Sequence, residues 1–252
     1  MFMSVVERSS EFEYYPELAG ARVLITGLTC EIGFDVARAF AEHKARLVIV
    51  SPDSSPAMVE LSALLAECAS EIRLFNEPSA SPDDVVRHVQ RAAQDLGGFD
   101  AVINLVGLDE ADVRAFERGS DVEALIAARL EEMLLVTQVA ANRMRLTWTD
   151  GSILNVVTMS GATTGRAGLV ADVVRSMIAQ FTLGQARQWA GEGVRINAIA
   201  PQSSLAALLG GSSTVSDADI ASTALYFASR KGRALSGHLL DAEGLAQRRC
   251  GG

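Results

Sequence analysis

Aromatic residues are scarce in this chain and make up only 6% of its 252 residues. Apolar residues nevertheless amount to 49%, so a buried core has to be built mainly from Ala, Val, Leu and Ile. No apolar run approaches the roughly 18 residues that span a bilayer. Charges interrupt residues 1–20, so we expect no signal peptide there. These absences predict a cytoplasmic protein.

Cysteine and histidine are equally rare, with three of each. The cysteines are odd in number and far apart, which predicts free thiols in a reducing compartment. Neither residue type has the spacing of metal ligands, so we expect no bound metal. The residues concerned are Cys30, Cys68, Cys250, His43, His88 and His238.

Positive charge is in deficit, because 22 Lys and Arg face 31 Asp and Glu, for a formal net charge of −9. An acidic surface repels nucleic-acid phosphates and anionic lipid headgroups. We therefore expect neither a nucleic acid nor a membrane as a partner.

Apolar segments of strand length alternate along the chain with longer amphipathic segments. The predicted strands are Ala21–Thr26, Arg46–Val50, Glu71–Phe75, Asp100–Val106, Ser152–Val157, Val194–Ile199 and Gly237–Asp241. The predicted helices are Gly33–His43, Pro56–Ala69, Pro82–Leu96, Val122–Met144, Ala171–Ala190 and Ser216–Ala228. This alternation is typical of a parallel sheet covered on both faces. We predict one doubly wound α/β domain over residues 1–252, with residues 1–17 as a tail.

A glycine-rich turn, Thr26-Gly27-Leu28-Thr29-Cys30-Glu31-Ile32-Gly33, follows the first predicted strand. Such turns bring backbone N–H groups and a helix N-terminus to a diphosphate. Three further segments accompany it: Asn104-Leu105-Val106-Gly107, residues 193–201 and residues 236–244. In this order and spacing, the four segments resemble the short-chain dehydrogenase/reductase family, and within it the 3-oxoacyl-acyl carrier protein reductases. The resemblance extends from Leu18 to Gly244 and implies a Rossmann-type fold of about seven strands.

The resemblance implies NAD or NADP as cofactor, but two positions of its site depart from the family. Glu31 replaces the middle glycine of the turn and brings a carboxylate towards the diphosphate, which predicts weak binding unless Glu31 turns to solvent. Ser51 stands where NAD-binding members carry an acid, and no arginine follows it; Asp53 is either a ribose ligand or a turn residue. The implied cofactor-binding residues are Gly27, Thr29, Glu31, Ile32, Gly33, Ser51, Asn104, Gly107 and Pro201.

The catalytic positions depart further. The family's asparagine, serine, tyrosine and lysine correspond to Arg129, Thr158, Ala171 and Arg175. Thr158 can still donate a hydrogen bond, but the guanidinium of Arg175 does not release a proton near pH 7. Ala171 cannot transfer a proton at all, which predicts a degenerate active site. A replacement donor is the alternative, and the candidates nearby in sequence are Ser160, Thr163, Thr164 and Asp172.

Two surfaces of the family have counterparts in this chain. The substrate lid that follows Pro201 is reduced to residues 203–215. The resemblance implies that the helices over residues 122–144 and 171–190 pack against other subunits. Both carry apolar stripes wider than one buried face needs. The alternative is that each helix buries its whole stripe within its own chain.

The resemblance and its departures allow three functions. The first is a catalytically impaired subunit in a homo- or hetero-oligomer with an active relative. The second is an NAD(P)(H)-dependent dehydrogenase or reductase of a carbonyl or alcohol, with an atypical proton donor. The third is a ligand sensor in which Arg129 and Arg175 bind an anion.

Overall fold

The computed structural model describes residues 13–29, 33–76, 81–118, 122–159, 165–201 and 216–240. The strands are β1 Arg22–Thr26, β2 Arg46–Val50, β3 Glu71–Phe75, β4 Ala101–Leu108, β5 Ser152–Met159, β6 Arg195–Ile199 and β7 Leu239–Leu240. The α-helices are α1 Phe34–Glu42, α2 Pro56–Ala66, α3 Pro82–Leu96, α4 Glu110–Arg118, α5 Val122–Leu146, α6 Gly165–Trp189 and α7 Asp217–Ala228. Short 3-10 helices cover Pro16–Leu18, Ala190–Glu192 and Arg230–Ala234.

The seven strands form a single sheet in the order β3-β2-β1-β4-β5-β6-β7. Every neighbouring pair is parallel, and the register sets Thr26 of β1 beside both Val50 of β2 and Asn104 of β4. The strand order reverses between β1 and β4. The predicted doubly wound parallel sheet is therefore confirmed.

Alternate strand residues pack into separate helical layers on the two faces of the sheet. Val23 and Ile25 of β1 pack with α1, α2 and α7, whereas Leu24 packs with α3 and α5 on the opposite face. A third cluster joins α4, α5 and α6 to the ends of β4 and β5. Because both faces are covered, the strands are apolar at successive positions, as the sequence indicates.

Two helices differ from their prediction. Residues 110–118 form α4, which we did not expect, and α6 begins at Gly165 rather than at Ala171. Glycine is a poor helix former, which is why Gly165 and Gly168 point to a later start. Packing compensates for this low propensity, since Ala167, Gly168 and Val170 are all buried. Within the described ranges no helix is long and apolar enough to cross a membrane.

The end of α5 holds an unusual backbone conformation. Trp148 has a φ of 52°, in the left-handed region, and its side chain is 94% exposed. The N–H of Trp148 donates to the carbonyl of Arg145, and that of Thr149 donates to the carbonyl of Met144. This pattern is a Schellman cap, and glycine is the usual residue at the position that Trp148 occupies.

Replacing Trp148 with Gly is expected to raise the free energy of unfolding by about 1 kcal/mol, because glycine adopts a positive φ without steric cost. Urea denaturation measures the change. Leu146→Gly, two residues earlier within the helix, serves as the control and is expected to lower the same free energy by about 1 kcal/mol. A Trp148→Gly variant less stable than the parent would contradict the prediction.

Candidate functional site

A cleft of about 530 Å³ opens at the carboxyl edge of the sheet, where the strand order reverses. Ligands of open α/β sheets bind at this point, because the loops diverge there. The ends of β1 and β4, the turn after β2 and one face of α5 line the cleft. The lining residues are Thr26, Gly27, Thr29, Pro52, Asp53, Asn104, Leu105, Val106, Gly107, Asp109, Ala128, Arg129, Glu132 and Met133.

Asn104 forms part of the floor of the cleft, but its side chain is engaged within the protein. Its Oδ1 accepts a hydrogen bond from the hydroxyl of Thr26 at 2.8 Å, and its Nδ2 donates to Oδ1 of Asn155 at 2.7 Å and to the hydroxyl of Thr137 at 3.2 Å. Asn104 is only 1% exposed. The amide thus joins β1, β4, β5 and α5 and has a structural role.

The glycines of the turn after β1 are required by close packing against β4. Gly27 has a φ of 72°, and a Cβ placed there would lie 1.9 Å from the carbonyl oxygen of Leu105. Gly33 has a φ of 93°, and its Cβ would lie 2.2 Å from Cδ1 of Leu105. Only glycine therefore fits at either position. Glu31 and Ile32, which the resemblance also assigns to the cofactor, lie outside the described residues.

The N-terminus of α1 is capped by a side chain from the other end of the chain. Gly33 is the N-cap residue and has no side chain of its own to offer. Its N–H donates to Oδ2 of Asp217, the first residue of α7, at 2.9 Å. Burial raises the pKa of Asp217, and the hydrogen bond from Gly33 opposes that rise. A carboxylate of the protein itself is thus held where the resemblance implies a diphosphate.

Ser51 is fully buried at the end of β2. Its hydroxyl donates to the carbonyl of Leu28 at 2.6 Å and accepts from the N–H of Asp53 at 3.0 Å. Ser51 therefore fixes the turn after β2 to the turn after β1, and its place in a cofactor site stays a prediction. Asp53 does line the cleft, while its Oδ1 accepts from the N–H of Ser55 at 2.8 Å.

Three of the positions that correspond to the family's catalytic residues lie outside the described lining of the cleft. Ala171 is completely buried in α6, and Thr158 is half-buried near the end of β5. Arg175 donates from Nη1 to the carbonyl of Pro201 at 3.2 Å. The resemblance assigns Pro201 to the cofactor site. In the structure Pro201 is buried, and its carbonyl accepts a hydrogen bond from Arg175.

Arg129 lines the cleft with a side chain that is 47% exposed, and its guanidinium is paired with an acid of the same chain. Its Nη2 lies 3.2 Å from Oδ1 of Asp112, a carboxylate whose side chain is only 6% exposed. Oδ2 of Asp112 accepts from the N–H of Asp109, and Oδ1 of Asp109 accepts from the N–H groups of Ala111 and Asp112. These reciprocal bonds form a capping box at the start of α4. Arg129 therefore ties α4 to α5 at the mouth of the cleft.

The sequence held a signal for this arrangement. Asp109 and Asp112 have the spacing of a capping box, and an acid-rich first turn favours a helix start. We did not predict α4 because the apolar residues that follow, Val113 and Phe116, are too few to define a helical stripe. Glu132 and Met133 were also missed, since only the register of α5 against β4 brings them to the cleft.

The described residues do not fit the diphosphate of a nicotinamide dinucleotide. The N–H of Gly33 is already bonded to Asp217, and the hydroxyl of Ser51 to Leu28. Among the described residues that line the cleft, three are acids, Asp53, Asp109 and Glu132, and one is a cation, Arg129, which is ion-paired to Asp112. An anionic ligand therefore meets unfavourable charge here. In the parts of the chain that the structure describes, no group of three His, Cys, Asp or Glu residues could hold a metal ion.

Replacing Asp112 with Ala is expected to lower the free energy of unfolding by about 1–3 kcal/mol, because the variant loses the capping-box bond to the N–H of Asp109 and the link to Arg129. Amide hydrogen exchange is expected to accelerate first in α4. Glu131→Ala, an exposed acid on α5, is the matched control and should change stability by less than about 0.5 kcal/mol. Equal effects of the two variants would disprove the link.

Solved structures share this architecture. A structure described as NADH-dependent reductase A1-R′ complexed with NAD superposes with a TM-score of 0.72 at 19% identity, over 90% of this chain and 96% of that chain. A short-chain dehydrogenase from Burkholderia cenocepacia in complex with NADP superposes with a TM-score of 0.70 at 19% identity, over 89% of this chain and 96% of that chain. These similarities establish the fold.

Comparison with a family sequence model identifies the family. The chain is 28% identical over 193 residues to 3beta-hydroxysteroid dehydrogenase 2 of Eggerthella lenta. The match covers 76% of this chain and 74% of the relative. The sequence model of the short chain dehydrogenase family matches residues 21–231. The narrower resemblance to 3-oxoacyl-acyl carrier protein reductases stays a prediction. The chain belongs to the short-chain dehydrogenase family.

Proposed function

We propose that this chain is a catalytically impaired member of the short-chain dehydrogenase family that acts as a subunit of an oligomer, with copies of itself or with an active relative. The observation that carries the proposal is at position 171, where the family's proton donor corresponds to a completely buried alanine. A methyl group cannot exchange a proton with a carbonyl or alcohol, and general acid–base catalysis contributes roughly 10²–10⁴-fold to such reactions.

The positions of the tyrosines support this proposal. Tyr14 and Tyr15 pack against His43, which follows the C-terminus of α1. Tyr226 lies near the C-terminus of α7, beside Phe227. Because the helices run antiparallel to the strands, both helix ends are at the amino edge of the sheet, opposite the cleft. Burial and the hydrogen bond to Glu13 also raise the pKa of the Tyr15 phenol, so this group is a poor proton donor.

The two arginines at family positions offer no replacement for the tyrosine. Arg129 is ion-paired with Asp112, and Arg175 is bonded to the carbonyl of Pro201. Guanidinium groups keep their protons under all physiological conditions. Both observations also argue against a sensor that would use the two arginines together on one anion.

One exposed apolar surface supports assembly. Leu169, Val173 and Met177 follow one another at four-residue intervals on α6 and are 65%, 52% and 46% exposed. Residues four apart lie on the same side of a helix, so the three side chains form a continuous stripe, which we call the α6 stripe. The corresponding residues of α5 are different: Ile126, Leu130, Met133 and Val136 are buried within the chain.

A second candidate function is an NAD(P)(H)-dependent dehydrogenase with an atypical proton donor. The cleft of about 530 Å³ favours it, because a site of this size accommodates a ligand. Thr158, half-buried at the end of β5, retains a hydroxyl. The relative from Eggerthella lenta is named a dehydrogenase. Of the other candidate donors, Ser160, Thr163 and Thr164 lie outside the described residues.

Purified protein is expected to show no turnover of ketones or aldehydes with NADH or NADPH, nor of secondary alcohols with NAD or NADP. The physical reason is the missing proton donor at Ala171. Absorbance of the reduced nicotinamide at saturating cofactor measures the rate, and the hydroxysteroid dehydrogenase of Eggerthella lenta assayed in parallel is the positive control. Saturable turnover that Thr158→Val abolishes would favour the second candidate function instead.

The double variant Val173→Glu, Met177→Glu is expected to convert the oligomer into monomers, because two carboxylates would be buried without partners in the α6 stripe. Light scattering after size exclusion measures the mass. Val59→Glu is the matched control, since Val59 is 52% exposed on α2 in the opposite layer, and it should leave the mass unchanged. A monomeric parent protein would contradict the proposed assembly.

A further inference from the structure

We propose that Asp217 is an internal anion that occupies the N-terminus of α1 and competes there with the diphosphate of a nicotinamide dinucleotide. The inference deepens the proposed function, on which it rests, by naming a residue that lowers the affinity of the chain for dinucleotides. It assigns this role to the first residue of α7, 184 positions from its hydrogen-bond donor Gly33.

The backbone N–H groups at the start of α1 are the physical basis of this competition. The first N–H groups of a helix lack partners within the helix, and together with the macrodipole they attract an anion. Gly33 donates to Asp217 at 2.9 Å. The N–H groups of Phe34 and Asp35 also act on this carboxylate, since both lower its pKa against the effect of burial. One hydrogen bond from the start of α1 is thus directed at this carboxylate, and the next two N–H groups also favour its charged form.

Packing fixes the carboxylate in place. Ile220, Ala221 and Ala224 of α7 are buried in one cluster with Val36 and Phe40 of α1. Because these helices pack along their length, Asp217 is delivered by a rigid element. A dinucleotide has to displace the carboxylate by rotating its side chain or shifting α7. Either change exposes the dinucleotide phosphates to a nearby negative charge.

Neighbouring charges restrict the competition with Asp217 to anionic ligands. Asp35 repels Asp217 and contributes to the rise in its pKa. A further anion at the same helix end adds to this repulsion. A ligand without phosphates does not, and the cleft lined by Thr26, Gly27 and Asp53 remains open to it. Asp217 therefore discriminates between ligands by their phosphates rather than by their base or sugar.

The test compares two ligands that share an adenosine and differ in phosphate. NADH binding is followed by nucleotide fluorescence, and adenosine binding by calorimetry. In Asp217→Asn the amide oxygen still accepts from Gly33 but the charge is gone. This variant is expected to bind NADH at least about tenfold more tightly than the parent, since removal of one charge at contact distance has an effect of that order. Its affinity for adenosine should be unchanged.

Matched variants separate charge from structure. Asp219→Asn removes a carboxylate from the same turn of α7, where it accepts from Ser216, and should leave the NADH affinity as in the parent. Asp217→Ser keeps a short neutral acceptor and should reproduce the gain if Asp217→Asn fails to fold. A folded Asp217→Asn or Asp217→Ser variant with no gain in NADH affinity overturns the proposal, as does an equal gain in Asp219→Asn.

The outcomes for this proposal and for the proposed function are distinct. Turnover by the parent protein refutes the impaired subunit, but Asp217 keeps its role if Asp217→Asn still gains affinity for NADH. Absence of turnover together with unchanged NADH affinity in Asp217→Asn refutes the role of Asp217 alone. Thermal unfolding of each variant, measured alongside, confirms that the compared proteins are folded.

Discussion

The buried amide of Asn104 is the interaction on which the organisation of this protein depends. It lies where the strand order reverses and bonds to Thr26, Thr137 and Asn155, so that β1, β4, β5 and α5 are held in one register. Strands on either side of such a reversal send their connections to opposite faces of the sheet, which leaves a cleft between them. The amide of Asn104 thus joins the strands directly below the cleft.

Around this cleft, groups that could meet a ligand have acquired partners within the chain. The carboxylate of Asp217 accepts a hydrogen bond from the N–H of Gly33, and the carbonyl of Leu28 accepts one from the hydroxyl of Ser51. The carboxylate of Asp112 is ion-paired with the guanidinium of Arg129. Each contact satisfies a polar group whose burial would otherwise cost free energy. Several polar groups around the cleft therefore stabilise the fold.

The sequence predicted the helices and strands well because their signals are local. Apolar strands between turn residues and helices with caps such as Ser216 define themselves over about ten residues. The start of α6 was missed because it depends on contacts from elsewhere in the chain, and α4 was missed because its apolar residues are too few to define a helical stripe, although its capping box is local. Gly168 becomes helical through burial in α6, and Asp112 of α4 is paired with Arg129 from another helix. Neither contact is visible in a local pattern.

The sequence by itself determined the family and the parallel sheet, because residue identity and spacing suffice for both, whereas the correspondence of Ala171 to the family's proton donor stays a prediction. Only the tertiary structure decided which side chains face the cleft and which form hydrogen bonds or ion pairs within the chain. Ser51 and Arg129 have the chemistry of ligand-binding residues, yet both are engaged within the chain. Asp217 reads as an ordinary first-turn acid of its own helix, and only the packing of α7 on α1 brings it to Gly33. Hydrogen bonds between residues far apart in sequence depend on the assembled fold, and that is why they escape prediction from the chain alone.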